Sequence, residues 1–109
     1  MNNGVVLASA RGLWVQSNDV NGAVQQGLNA SGDCTGTTVL FNRIVGGASG
    51  VVIDAARSLL VTNNVIDANR VGVFATGNCP GTKVADNAVV SNGTNLSTST
   101  AAGGWFQPS

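Results

Sequence analysis

A six-residue pattern that recurs at nearly constant spacing constrains this chain more than any other feature. It has the form V-x-x-N-x-[VI] and occurs at residues 15–20, 39–44, 61–66 and 84–89. A glycine followed by an apolar residue precedes each copy, at Gly4, Gly27, Gly50 and Gly72. Both the glycines and the asparagines therefore recur with a nearly constant period. A period of roughly 23 residues is typical of a solenoid, in which each repeat forms one rung of a column.

Each rung contains three short stretches in which apolar residues alternate with others, a pattern that indicates half-buried β-strands. Strands stacked at about 4.8 Å bury a continuous core, so four rungs give a column about 19 Å tall. The predicted inward residues are Val5, Leu7, Leu28, Ala30, Val51, Ile53, Val73 and Ala75 in the first strands, Leu13, Val15, Thr37, Val39, Leu59, Val61, Thr82 and Val84 in the second, and Val20, Ile44, Ile66 and Val89 in the third.

The repeated asparagine stands where the chain must turn between the second and third strands. Asparagine tolerates the left-handed backbone region better than other residues with a side chain, so we expect it to form this corner. Stacked amides can also hydrogen-bond to one another along the column. The predicted ladder consists of Asn18, Asn42, Asn64 and Asn87. The residue before it varies among Ser17, Phe41, Asn63 and Asp86, and Asn69 and Asn92 are expected to make local turn contacts.

These registered repeats resemble the right-handed parallel β-helix family of the pectate-lyase-like group, whose repeats often carry an inner asparagine ladder. The resemblance covers residues 4 to about 92. It implies an all-β fold, a right-handed single-stranded parallel β-helix of about four coils that start near positions 4, 27, 50 and 72. Each coil is roughly 22–24 residues long. Residues 1–92 form this helix and residues 93–109 a C-terminal tail. Proteins of this fold act as polysaccharide lyases, hydrolases, epimerases, phage spikes and adhesins, so the resemblance alone leaves function open.

Charge and hydropathy exclude several classes of partner. Five Lys and Arg balance five Asp, with a formal net charge of 0, so nothing attracts the chain to nucleic acid or to an anionic membrane. No apolar run approaches the roughly 18 residues of a membrane span, and Met-Asn-Asn-Gly is not the charged start of a signal peptide. We therefore expect a soluble protein, although a processed secreted protein has the same appearance.

The two cysteines occupy equivalent places in alternate rungs. The segments containing Cys34 and Cys79 match each other, as do Gly4–Arg11 and Gly50–Arg57, so the unit of duplication is two rungs. Regular stacking separates the cysteines by about 9.6 Å, whereas a disulfide requires roughly 4.4 to 6.8 Å between Cα atoms. This spacing favours two separate, partly buried thiols, and a disulfide leaning across rung three is the alternative. Two cysteines without histidine make a poor metal site, and we expect no cofactor.

A catalytic constellation is not recognisable. Polysaccharide-cleaving β-helices use clustered carboxylates on an exposed sheet, often with calcium and an Arg or Lys base. The outward positions of the first sheet are Val6, Asn29, Val52 and Phe74, then Ala8, Ser31, Asp54 and Thr76, where only Asp54 is ionisable. Asp54 with Arg57, and Asp67 with Arg70, are most simply exposed turn charges. We assign no catalytic residue and favour a non-enzymatic chain, with Asp54 and Arg57 as the pair to test should activity be found.

A binding surface is better supported. The outward side of the second strands carries Trp14, Thr38, Leu60 and Lys83 in one column and Gln16, Leu40, Thr62 and Ala85 in the next. Trp14, Leu40 and Leu60 would form an apolar patch, and such patches are typical of interfaces and ligand platforms. The patch could stack on carbohydrate, contact another copy, or lie beneath the tail.

The tail is polar and small until Trp105-Phe106, and two large aromatics after such a stretch are expected to pack on something. They would cap the last rung or contact a neighbouring subunit. Because an uncovered sheet edge invites pairing, we also expect homo-oligomers or a fragment of a longer helix. Two functions follow, a non-catalytic β-helix module for self-assembly or partner binding and, alternatively, a carbohydrate-binding or polysaccharide-active protein.

Overall fold

A computed structural model describes residues 3–22 and 25–106. Every regular secondary-structure element in these ranges is a β-strand. None of these residues belongs to a helix long and apolar enough to cross a membrane. The strands are β1 Asn3–Ala8, β2 Trp14–Gln16, β3 Asp19–Asn21, β4 Gln26–Asp33, β5 Thr38–Leu40, β6 Arg43–Val45, β7 Ser49–Arg57, β8 Leu60–Thr62, β9 Val65–Asp67, β10 Val71–Asn78, β11 Lys83–Ala85, β12 Ala88–Val90, β13 Thr94–Ala102 and β14 Trp105–Phe106.

The strands form three parallel sheets that run the length of the column. The first sheet has the order β1-β4-β7-β10-β13, the second β2-β5-β8-β11-β14 and the third β3-β6-β9-β12. Each strand pairs with its equivalent one repeat later, as Val15 does with Val39 and Val39 with Val61. The predicted parallel β-solenoid of about four rungs is therefore confirmed, and so is its register.

The core consists of columns of inward side chains stacked along the axis. Ile44, Ile53 and Ile66 are almost completely buried, as are Val39, Val61 and Val84 in the second sheet. Leu13 departs from the prediction, since it is 45% exposed although its equivalent Leu59 is buried. The reason is that Leu13 lies in rung one, which is covered on only one side within the described residues.

The asparagine corner differs in one respect from the prediction. The left-handed residue is the one before the asparagine, with φ of 58° at Ser17, 55° at Phe41, 55° at Asn63 and 60° at Asp86. These four side chains point to solvent, and the bend turns the next side chain inward. Asn42, Asn64 and Asn87 are consequently buried, whereas Asn18 in rung one is exposed. Hydrogen bonds join each of the four to the next, which is consistent with the predicted ladder.

A second pair of asparagines stacks at the next corner. Asn69 donates from its backbone and its side chain to the Oδ1 atom of Asn92, at 2.8 and 3.2 Å. Asn69 also donates to the carbonyl of Ile44 in the preceding rung, and Asn92 does the same to Ile66. The expected local turn contacts are present, from Asn69 to the Asp67 carbonyl and from Asn92 to Asn95, and the same amides also join successive rungs.

The predicted two-rung unit has a structural counterpart in the turns between the first and second strands, where the chain is one residue longer in rungs two and four than in rungs one and three. In rungs two and four the inward Leu of the short turn is replaced by Thr37 or Thr82. The Thr82 hydroxyl accepts a hydrogen bond from the Leu59 backbone at 3.3 Å and donates to the Ala56 carbonyl at 2.8 Å. Thr37 makes the same two contacts with Leu13 and Ala10. Each long turn thereby satisfies backbone groups of the short turn before it, which supports a two-rung unit.

The C-terminal segment continues the column instead of forming a separate polar tail. β13 pairs with β10, with Leu96 beside Val73, and β14 pairs with β11, with Phe106 beside Val84. Leu96 and Phe106 pack against the core. Residues 94–106 thus form an incomplete fifth rung, in which the pairing of β13 with β10 shifts register between Phe74 and Thr76. Residues 107–109 lie outside the described part of the chain.

Candidate binding surface

The outer face of the second sheet carries two tryptophans on one column. Register places Trp14, Thr38, Leu60, Lys83 and Trp105 side by side in successive strands, and we call this set the aromatic column. Four strand spacings separate the tryptophans, a distance of about 19 Å. Trp14 is 68% exposed and Trp105 55% exposed, so both indoles face solvent along much of their surface.

The side chains between the tryptophans are mixed in character. Leu60, Thr38 and Leu40 are half-buried on this face, and Thr38 stands between Trp14 and Leu60. The structure therefore brings Trp14, Leu40 and Leu60 onto one face, although not as an uninterrupted patch. The Lys83 ammonium lies 4.8 Å from the centre of the Trp105 ring, a cation–π contact that fixes the indole against the sheet.

Trp105 was expected to be a cap or an oligomer contact, and its place on the aromatic column was missed. The sequence spacing could have predicted this place, since Trp105 follows Lys83 by one rung length. Phe106 behaves differently from Trp105 because successive side chains of a strand point to opposite faces. It turns inward and covers the fourth rung.

The predicted pair Asp54 and Arg57 does not form an ion pair. The left-handed Ala55, with φ of 51°, turns the chain between them, and register places Arg57 beside Asp33. The ion pairs in the described ranges join neighbouring rungs, Arg11 to Asp33 at 3.6 Å and Arg43 to Asp19 at 3.5 Å. Hydrogen bonds from Thr35, aided by Arg11 and Arg57, lower the pKa of Asp33. The strand neighbours of Asp54 are Ser31 and Thr76, so no second carboxylate lies beside it.

An open groove lies at the corner between the second and third sheets. It has a volume of about 440 Å³, and its lining includes Phe41, Arg43, Asp19, Asn63 and Val65. Phe41 is 54% exposed. Sequence reasoning treated Phe41 only as a variable corner residue, although it is the one large apolar residue in the series Ser17, Phe41, Asn63 and Asp86.

The two cysteines are separate free thiols, as their spacing favoured, and they are completely rather than partly buried. Each thiol approaches a carbonyl of its own turn, Cys34 that of Ser31 at 3.6 Å and Cys79 that of Thr76 at 3.5 Å. Burial raises the pKa of both thiols. Within the ranges 3–22 and 25–106, no three His, Cys, Asp or Glu residues lie together as a metal site would require.

Comparison with known proteins gives one match. A family model described as "Periplasmic copper-binding protein (NosD)" matches residues 1–108, nearly the whole chain. No curated protein and no solved structure matches. With three parallel sheets, stacked asparagines and a family match along almost its entire length, this chain belongs to the NosD family.

Proposed function

We propose that this chain is a non-catalytic β-helix module that binds a partner surface, or another copy, through the aromatic column. The observation that most directly supports this proposal is the pair of exposed indoles, Trp14 and Trp105, on one column. A tryptophan offers a large apolar area with little rotamer entropy to lose, and exposed examples concentrate at interfaces. Because the parallel ladder fixes both ends of the column, the two rings form a pre-organised platform.

The surroundings of Asp54 support a binding role over catalysis. Glycoside hydrolysis requires two carboxyl groups at a defined separation across the scissile bond. Asp54 is flanked by Ser31 and Thr76 in the same column, so the first sheet does not supply such a pair there. The proposed role requires no proton transfer and only an exposed, rigid face.

Copper, which the family description names, does not fit the side chains of this chain. Copper in proteins is held chiefly by His nitrogen and by Cys or Met sulfur. The chain contains no His, and its single Met, Met1, lies outside the described residues. Cys34 and Cys79 are fully buried, with the Ala56 turn between their rungs. The proposed function therefore contains no step through copper. The family description does support a periplasmic location.

The test uses the two tryptophans as reporters, since the chain has no tyrosine. Light scattering over a concentration series gives the mass, and acrylamide quenching gives indole exposure in the same samples. If copies associate through the column, quenching falls as the mass rises, and Trp14→Ala and Trp105→Ala weaken the association. Val90→Thr is the matched control, because Val90 is an exposed apolar residue on the third sheet.

Carbohydrate binding is the second candidate. The observation that favours it is the set of polar side chains between the indoles, Thr38 in the column and Gln16 and Thr62 beside it. Aromatic rings stack on sugar faces while hydroxyl and amide groups supply hydrogen bonds. A panel of neutral and acidic polysaccharides, followed by tryptophan emission, is expected to show saturable shifts that Trp14→Ala reduces. Association and glycan binding that both survive Trp14→Ala and Trp105→Ala would contradict the use of this face.

A further inference from the structure

The fold places Phe41 in a conformation that does not suit it. All four described residues of its corner column have positive φ, between 55° and 60°. Ser17, Asn63 and Asp86 are small or carry a short polar group that tolerates the left-handed region. Phenylalanine does not, and a bulky residue there is an outlier that points to a functional constraint.

Phe41 is also unfavourably exposed. More than half of its side chain faces solvent, and Val65 beside it in the groove is exposed as well. Serine or asparagine at this position would remove the exposed ring, and asparagine would also lessen the strain. The inward turn of Asn42 accounts for the positive φ at this corner but does not require a phenylalanine there. A benefit from outside the molecule is the physical explanation for the ring.

We propose that the corner groove containing Phe41 is the contact between two copies of this chain, related by a two-fold axis. A two-fold contact uses the same surface on both partners, which requires that surface to be complementary to itself. The groove meets this condition because it holds one positive and one negative group, Arg43 and Asp19, both well exposed. Around the axis, Arg43 of each copy faces Asp19 of the other, while the Phe41 rings pack together.

Charge does not oppose this association. The chain has a formal net charge of 0, so two copies do not repel each other at long range. The ion pair within one chain is long, at 3.5 Å, which leaves most donors of the Arg43 guanidinium available to a second carboxylate. The groove lies at the corner between the second and third sheets, and neither Trp14 nor Trp105 lines it. The inference thus concerns a different surface from the proposed function.

The first test compares the native chain with Phe41→Ser, which introduces the residue found at the same position in rung one. Light scattering is expected to give twice the chain mass of 10.9 kDa for the native protein and a single chain mass for the variant. Val90→Thr, the matched control, is expected to remain dimeric. Phe41→Asn, which introduces the residue type of Asn63 in rung three, serves the same purpose should the serine variant fail to fold. In the monomeric range of concentration, Phe41→Asn should unfold at the same or higher urea than the native chain, because the corner strain is lessened.

The second test asks whether the charges pair between copies. Arg43→Asp alone and Asp19→Arg alone are each expected to be monomeric, because like charges would face each other across the axis. Mixing the two variants should restore the dimer, since each then supplies the charge that the other lacks. A native chain that stays monomeric across the series, a dimer in Phe41→Ser, or a mixture that stays monomeric would overturn the proposal. So would a dimer in which acrylamide quenching of the tryptophans falls, because that dimer uses the aromatic column.

Discussion

The side-chain oxygen of Asn64 accepts two hydrogen bonds from Asn42, one from its backbone N–H at 2.9 Å and one from its amide at 3.0 Å. The Asn64 amide in turn donates to Asn87 and to the carbonyls of Val39 and Thr62. One buried side chain therefore satisfies polar groups in three rungs.

Asn64→Ala is expected to lower the free energy of unfolding by about 3 kcal/mol or more, because several buried groups lose their partners at once. Asn18→Ala is the control. Asn18 is exposed and its side chain donates to Asn42 alone among the described residues, so a loss below about 1 kcal/mol is expected. Urea denaturation followed by circular dichroism measures both. Equal losses in the two variants would show that the amides do not act as a buried column.

Gly50 tests the close approach of successive rungs. A Cβ atom at this position would lie 2.6 Å from the carbonyl oxygen of Gly72 and 2.6 Å from Ile66 Cγ2. Since one of these neighbours is backbone, Gly50→Ala must shift the ladder, and we expect a loss of at least about 2 kcal/mol. Gly12→Ala is the comparison, because φ is +69° there but no atom lies within 4 Å of the added carbon. Its cost should be limited to the left-handed strain, about 1 to 2 kcal/mol. A Gly50→Ala variant as stable as the native chain would contradict the packing.

The buried thiols predict slow chemistry and an alkaline loss of stability. Iodoacetamide should leave Cys34 and Cys79 unmodified in the folded protein and alkylate both in urea, as mass spectrometry will show. Burial raises the pKa of each thiol above its ordinary value of 9.0. The folded state therefore disfavours the thiolate. The stability that the buried thiols contribute is fully present below their ordinary pKa and is lost as the pH rises above it.

The control for this loss is the variant with Cys34→Ala and Cys79→Ala, which carries the residue that Ala10 and Ala56 supply in the other rungs. Between about pH 7 and about pH 10 the native urea midpoint should fall further than that of the variant. Parallel curves would assign the alkaline effect to other groups.

Trp105 and Phe106 are neighbours in sequence with opposite roles. Phe106 faces the core beside Val84, so Phe106→Ala should destabilise the chain by about 2 kcal/mol, less than a fully buried phenylalanine would. Trp105→Ala removes an outward ring and its contact with Lys83, a loss of about 1 kcal/mol or less. Thermal unfolding of the two variants ranks them. The reverse order would mean that Trp105 faces the core and Phe106 faces solvent.

The spacing of the repeated glycines was sufficient to predict the strand register, because at this position each rung must come equally close to the next rung. These glycines are Gly4, Gly27, Gly50 and Gly72. Most of the buried core followed from alternation; the exceptions include Leu13, which is exposed, and Val52 and Ala85, which were predicted outward and are buried. The fifth rung was not predictable in this way. Leu96 is the one large apolar residue between Gly93 and Gly104, so no period-2 pattern is visible in the sequence of β13.

The candidate surfaces were only partly predictable. Trp14 and Leu60 were placed on the correct face by counting along the strand, and Trp105 was not, because its rung was missed. The strain at Phe41 depends on which corner residue takes positive φ. Tolerance of the left-handed region favours the asparagine in the next position, but the asparagine must turn its amide inward, so the residue before it takes the positive φ.

The alternation of Cys34 and Cys79 with Ala10 and Ala56 limits how this chain can change length. Loss of a single rung between the cysteines would bring them to neighbouring strands, about 4.8 Å apart, within the range in which thiols cross-link. Loss or gain of two rungs preserves the spacing and the pairing of Thr with the preceding turn. The column can therefore be lengthened or shortened in pairs of rungs without creating an oxidisable contact, whereas loss of the single rung between the cysteines would alter its redox chemistry.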